Sequence, residues 1–153
     1  MPRIPNDGIA AGFQEQYYSF GQSQAAASQS AVALKRNVNA ATSGSLNITD
    51  VVMPHAGSIV GVTIKTSANK TAGVATVAPT LGGTALAAST GLSAVALANA
   101  AAKAVLFIDA QTPGARFNQG DLLGVKLTTD GSYLPTTLDV EVIIYVEFEG
   151  MQP

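Results

Sequence analysis

From Leu138 to Glu149 the chain alternates without a break. Leu138, Val140, Val142, Ile144, Val146 and Phe148 fall on one face of an extended strand, and Asp139, Glu141, Ile143, Tyr145, Glu147 and Glu149 on the other. A period of two held this long is incompatible with a helix, and the run is about twice the usual strand length. The first set reads as core. The second places two apolar residues between two pairs of carboxylates, so its middle is expected to meet something other than water. Either a loop of the same subunit or a second subunit covers Ile143 and Tyr145, which makes them the candidates for contact within an oligomer.

The same period recurs upstream. Val60, Val62 and Ile64 alternate with Gly61, Thr63 and Lys65, and Val32 and Leu34 with Ala33 and Lys35. Gly82-Gly83, Pro113-Gly114 and Asp130-Gly131 are turn dipeptides that cut the chain into hairpin-sized pieces. Over Ser93 to Asp109 two signals compete. The alanines from Ala94 to Ala104 favour a helix and Val105-Leu106-Phe107-Ile108 a buried strand. The surrounding β pattern decides for two strands, with Asn99 in the turn. The body, residues 46–153, is therefore expected to be all-β, a β-sandwich or jelly roll.

The 153 residues bound the chain to one such domain with an appended segment. Charged residues make up 12%, about half the globular average of roughly 25%. Much of the surface must then be small and neutral, as in a protein that packs against others. Eight Lys and Arg against ten Asp and Glu give a formal charge of −2, which does not supply the footprint that phosphate neutralisation needs, so nucleic acid is not an expected partner. The longest apolar stretch, Ser93 to Ile108, is broken by Asn99 and Lys103 and falls short of the roughly 20 residues of a membrane helix. No membrane is expected as partner.

Catalytic patterns are poorly supplied. There is no Cys, so disulfides and thiolate metal sites are excluded. A zinc site would have to be built from His55, the one histidine, and carboxylates. A hydrolase triad would need the same His55, and Gly91-Leu92-Ser93-Ala94-Val95 lacks the closing glycine of a nucleophile elbow. Neither phosphate-binding glycine motif occurs. Asp139 with Glu141, and Glu147 with Glu149, have a spacing that would suit paired acid and base groups, but charged strand faces that resist aggregation explain them better. Asn47-Ile48-Thr49 and Asn69-Lys70-Thr71 match the glycosylation triplet, which a Thr-rich chain produces by chance. The expectation is no enzyme, no catalytic residue, no metal and no cofactor.

Residues 1–45 differ in kind. Gln14, Gln16, Gln22, Gln24 and Gln29 are scattered among Ala, Ser and Gly, while Phe13, Tyr17, Tyr18 and Phe20 gather four of the nine aromatics within eight positions. The Ala content allows a short helix over 22–31. A coreless arm of this kind cannot offset the entropy of ordering its backbone with four aromatics alone. It needs continuous backbone hydrogen bonds or a host surface. Fully extended it reaches on the order of 100 Å, several times the ~13 Å radius of gyration of a 100-residue domain. The expected architecture is an extended N-terminal arm on a β-sandwich, with Phe13, Tyr17, Tyr18 and Phe20 as anchors on a neighbouring subunit.

Two further stretches carry a resemblance: Gly120-Asp121-Leu122-Leu123-Gly124-Val125-Lys126-Leu127-Thr128-Thr129-Asp130, then Leu134-Pro135-Thr136-Thr137-Leu138-Asp139-Val140. In these the sequence resembles small jelly-roll head proteins of tailed bacteriophages, the decoration or cement proteins and related head-spike and fibre domains. The likeness runs roughly from Gly57 to Glu149, about 60% of the chain, and does not extend to the N-terminal segment. It implies a jelly roll on the outer surface of a virion, bound to the major capsid protein, often as trimers, and stabilising the shell by clamping neighbouring subunits. The competing expectation is a carbohydrate-binding or host-adhesion module with Tyr133 stacking on a sugar. A small hydrolase using Asp139 and Glu141 is the other.

Overall fold

The long alternating stretch forms a strand whose two lateral neighbours define the architecture. A computed structural model describes residues 14–36, 48–97 and 101–149. Among these the strands are β1 (Gln14–Gln22), β2 (Val32–Ala33), β3 (Lys35–Arg36), β4 (Asp50–Val52), β5 (Gly57–Thr66), β6 (Ala75–Leu81), β7 (Thr84–Ala85), β8 (Val95–Leu97), β9 (Lys103–Phe107), β10 (Arg116–Phe117), β11 (Leu122–Thr129) and β12 (Val140–Phe148). Strand β12 lies between β1 and β5, so the first described strand pairs with the last. The nesting continues inward: β4 pairs with β11, β5 with β9 and β6 with β8, all antiparallel. One long hairpin nested and wound in this way is a jelly roll. Sheet A runs β9-β5-β12-β1 and faces sheet B, β4-β11-β6-β8, with β10 and β3 extending the first and β2 and β7 the second. The chain is an all-β sandwich, as the alternation required.

Burial follows the pattern on which the reading rests. Val140, Val142, Ile144, Val146 and Phe148 are buried between the sheets with Leu138 beside them. They meet Leu123, Val125 and Leu127 of β11 and Val77 of β6 in one core. Gly82 and Gly83, at φ 57° and 77°, form the two-residue connection between β6 and β7 that positive φ makes tight. The turn at Asp130-Gly131 works differently: the Asp130 carboxylate accepts the Val74 and Ser132 amides.

Four expectations change. Val60 is not the first of a core-facing series: Ile59 pairs with Val146 and Gly61 with Tyr145, so Val60 is the extra residue of a bulge and Ile59 takes the inward place beside Val62 and Ile64. Ser93 to Asp109 does yield two strands, β8 and β9, but Val105 and Phe107 point outward, because β9 ends sheet A and only Ala104 and Leu106 face the core. Val32 and Leu34 do not share one strand. The chain steps there from sheet B to sheet A, and Leu34 is buried at the crossing.

The fourth correction concerns the N-terminal segment. Residues 14–36 are no coreless arm. Strand β1 pairs with β12 from Gln14 opposite Phe148 to Gln22 opposite Val140, and Phe20 is buried in the common core. The boundary at residue 45 therefore does not separate this stretch from the sandwich. A helix over 22–31 is absent, with positive φ at Gln24, Ser28 and Ala31. Side chains of β11, and Asp139 just ahead of β12, hold this connection instead. Asp139 accepts from the Ser23 hydroxyl and the Gln24 amide. Thr129 accepts the Gln29 amide and donates to the Ala26 carbonyl, and Thr128 accepts the Ala31 amide. The Thr-Thr pair that carries part of the phage resemblance is thus a clasp for the N-terminal segment.

Candidate functional site

The register of sheet A orders its outer face into four rows. Lys35, Gly21, Glu141, Lys65 and Lys103 lie side by side across β3, β1, β12, β5 and β9. Ser19, Ile143, Thr63 and Val105 make the second row and Tyr17, Tyr145, Gly61 and Phe107 the third. Glu147, Ser58 and Arg116 make the fourth, with β1 running in register beside Glu147. An apolar centre of two rows is therefore bordered by a lysine-rich row at one end and a glutamate-bearing row at the other, where Arg116 donates to Glu149.

Gly61 builds the centre. The Phe107 ring lies across the position its Cβ would occupy, about 2.2 Å from it, and reaches Tyr145 at 5.1 Å between ring centroids, tilted by 59°. A side chain at residue 61 would lift the ring off the sheet. Even flattened in this way, Phe107 keeps 55% of its surface exposed, Val105 59% and Tyr17 69%, while Ile143 and Tyr145 are half-buried. Strand spacings of about 4.8 Å and row spacings of about 6.8 Å give the four rows roughly 500 Å², with about half of that apolar. The outer face of sheet B is mixed: Lys126, Ala33 and Ala78 form one outward row and Thr128 with Thr76 another, and its apolar part is the exposed aliphatic pair Leu122 and Val52. Among the described residues the exposed large aromatics, Tyr17 and Phe107, both lie on the outer face of sheet A, and a contiguous apolar patch on a rigid face marks a contact surface.

Tyr17, Ile143 and Tyr145 are thus brought together, although they came from two separate readings of the sequence. Tyr18 and Phe20 are not part of the face. Phe20 points into its own core, which overturns its role as an anchor on another subunit. Tyr18 is half-buried on the same side, its hydroxyl donating to Gln16 Oε1 at 3.1 Å and Arg36 lying 5.3 Å from its ring. Burial raises its pKa, with Arg36 acting in the opposite sense. Phe13 lies outside the described residues. Val105, Phe107 and Gly61 were missed as site residues. The one local signal was a glycine inside a strand, which often marks close approach of another group.

The competing chemistry finds other surroundings. Tyr133 is fully buried, so it has no face to offer a sugar. The Asp139 carboxyl is held below its usual pKa by hydrogen bonds from Ser23 and then Gln24, the opposite of what a general acid needs. Glu141 accepts from Ser19. His55 is exposed, with its ring edge on Phe148. Among the described residues no group of three or more His, Asp or Glu side chains could hold a metal ion.

Replacing Gly61 with Ala is expected to leave the melting temperature within a few degrees of wild type, since the atoms it displaces belong to an exposed ring that is free to swing out. It should instead uncouple Phe107 from Tyr145. Loss of the aromatic nuclear Overhauser contacts between the two rings, in a protein of unchanged stability, checks this.

No family model matches the chain, and no curated protein matches it. Among solved structures it is similar to a chain of the cyanophage Pam1 capsid asymmetric unit, with 15% identity, a TM-score of 0.45, and 97% of this chain and 93% of that chain covered.

Proposed function

We propose that this chain is a structural virion protein that binds the outside of a phage capsid and stabilises it by linking neighbouring subunits, with the outer face of sheet A as the linking surface. One observation carries the reading: the row Tyr17, Tyr145, Gly61 and Phe107, in which a glycine lets an exposed aromatic lie flat on a four-stranded platform. Rigid aromatics supply large contact area at low entropic cost and dominate the energetics of protein interfaces. The resemblance of the 120–140 region to phage head proteins supplies the setting. Linking then works by multivalency, since each body makes a modest contact and joined bodies must be released together.

In this reading the clamp is a sheet face in place of a free arm. Of the anchors expected there, Tyr17 belongs to this face, and Phe107 and Val105 join it. Purified shells of the parent phage stripped of accessory protein, titrated with the full chain, test the proposal. Tyr17→Ser combined with Phe107→Ser should lower occupancy at a given concentration by at least about ten-fold, the effect of losing two aromatic contacts. Both side chains are exposed, so the fold should be retained. Equal occupancy by wild type and variant would overturn the reading.

A further inference from the structure

We infer that the partner seated on the outer face of sheet A is a second copy of this chain, packed face to face with its strands reversed. The inference rests on the reading of that face as a linking surface and names its occupant. Its basis is the distribution of charge around the apolar centre. One border row carries Lys35, Lys65 and Lys103 with Glu141 among them. At the other, Arg116 pairs with Glu149, and Glu147 stands two strands from Arg116 in the same row with no cation in register beside it among the described residues. The patch is positive at one end and negative at the other, and a surface polarised in this way is complementary to itself when turned end for end.

Two twofold arrangements are open to stacked sheets. With the axis along the strands, the lysine rows of both copies coincide and repel. With the axis across the strands, each lysine row lies over the glutamate-bearing row of the other copy, and the two apolar rows exchange places and remain covered. Strict superposition would put Glu141 over Glu147 and Lys103 over Arg116. Stacked sheets, however, cross at about 30°. For rows about 10 Å from the axis that inclination is a sideways shift of about 5 Å, one strand spacing. In the sense that carries β5 over β12 of the other copy, the shift brings Lys65 of each copy over Glu147 of the other and takes Glu141 off Glu147; the opposite sense would set Lys65 over Arg116. Such an interface is isologous, as a twofold requires.

The area sets the strength. About 500 Å² per copy gives roughly 1,000 Å² in total, the lower bound for a specific contact. The dimer should be reversible and weak in dilute solution, and effective where copies are held close on a shared scaffold.

Sedimentation velocity on the full chain from about 10 μM to about 1 mM tests this, the range that a contact of this size calls for. Wild type should pass reversibly from monomer to dimer. Lys65→Glu alone and Glu147→Lys alone should each weaken the dimer by at least about ten-fold, because each sets like charges opposite one another twice. An equimolar mixture of the two variants should restore it, as should the double variant Lys65→Glu/Glu147→Lys. Tyr17→Ser with Phe107→Ser should abolish it. A wild-type chain that stays monomeric to about 1 mM, or charge variants that fail to rescue each other, overturns the inference. If the monomer still loads shells and loses that ability with the Tyr17 and Phe107 changes, the occupant is the shell protein and the proposed function stands. If dimers form and rescue as described while shells bind nothing, the face-to-face pairing stands and the capsid reading fails.

Discussion

Deletion of residues 1–22 leaves a chain that no longer folds cooperatively. Strand β1 covers one whole edge of β12, the strand that carries the densest set of core side chains, and it closes the sandwich on the side where Leu34 crosses between sheets. Without it the backbone N–H and C=O groups of β12 that face β1 lose their partners, and the core beneath Phe20 opens to water. The single substitution Phe20→Ala isolates the packing part and should cost about 3–5 kcal/mol, a large share of the 5–15 kcal/mol that a domain of this size possesses. A freely hanging arm predicts the opposite for both: residues 23–153 would melt as the full chain does, and Phe20→Ala would be silent. Urea denaturation of the point variant and thermal melting of the truncated chain, followed by far-ultraviolet circular dichroism, separate the two. A truncated chain with a cooperative transition within about 5 °C of the full chain would remove β1 from the fold.

Why β12 was legible and β1 was not is a matter of where the information lies. In β12 both faces announce themselves, since an unbroken aliphatic row alternates with charge and the assignment needs no partner. In β1 the inward face reads Gln16, Tyr18, Phe20 and Gln22, and only Phe20 among them is fully buried. What makes this stretch a strand is β12, more than a hundred positions away, and that pairing leaves no local trace. The failed helix over 22–31 has the same origin. Alanine propensity there is worth tenths of a kcal/mol per residue. It is overridden by hydrogen bonds to Asp139, Thr128 and Thr129, and by backbone bonds from Ala25 to Leu138 and Ser28 to Asp130.

The contact face was half legible for a related reason. Ile143 and Tyr145 stood out because they interrupt a charged row, and Tyr17 because aromatics cluster around it. That these meet on one face, with Phe107 and Val105 beside them, depends on which strands flank β5 and β12, and the jelly-roll nesting decides that. Aromatic clustering in sequence was a misleading guide, since Tyr17 and Phe20 sit three apart in an extended strand and so point to opposite faces. The period that identified β12 would have separated the anchors had it been applied to β1.

Gly73→Ala is expected to destabilise the protein by roughly 2–5 kcal/mol, the sum of left-handed backbone strain and overpacking against atoms with no room to move. Gly73 stands at φ 77°, and a Cβ there would lie 2.4 Å from the Tyr133 backbone nitrogen and Cα and 2.5 Å from Asp130 Oδ1. Its surroundings are tied from every side. The Lys70 ammonium, itself buried, donates to the Gly73 carbonyl at 2.6 Å, Asp130 accepts the amides of Val74 and Ser132, and the Tyr133 ring is wholly enclosed. Burial pushes the Lys70 pKa down, against the pull of Asp130, so displacing the Gly73 carbonyl would leave a buried charge with the acceptor of its short hydrogen bond moved away. Gly82→Ala is the control, because residue 82 shares a positive φ of 57° but has open space where a side chain would go. That change should cost only about 1–2 kcal/mol of backbone strain. Urea midpoints at constant denaturant slope compare the two. Equal losses at 73 and 82 would mean that strain alone governs both, and that the Lys70, Asp130 and Tyr133 knot yields to an added methyl group.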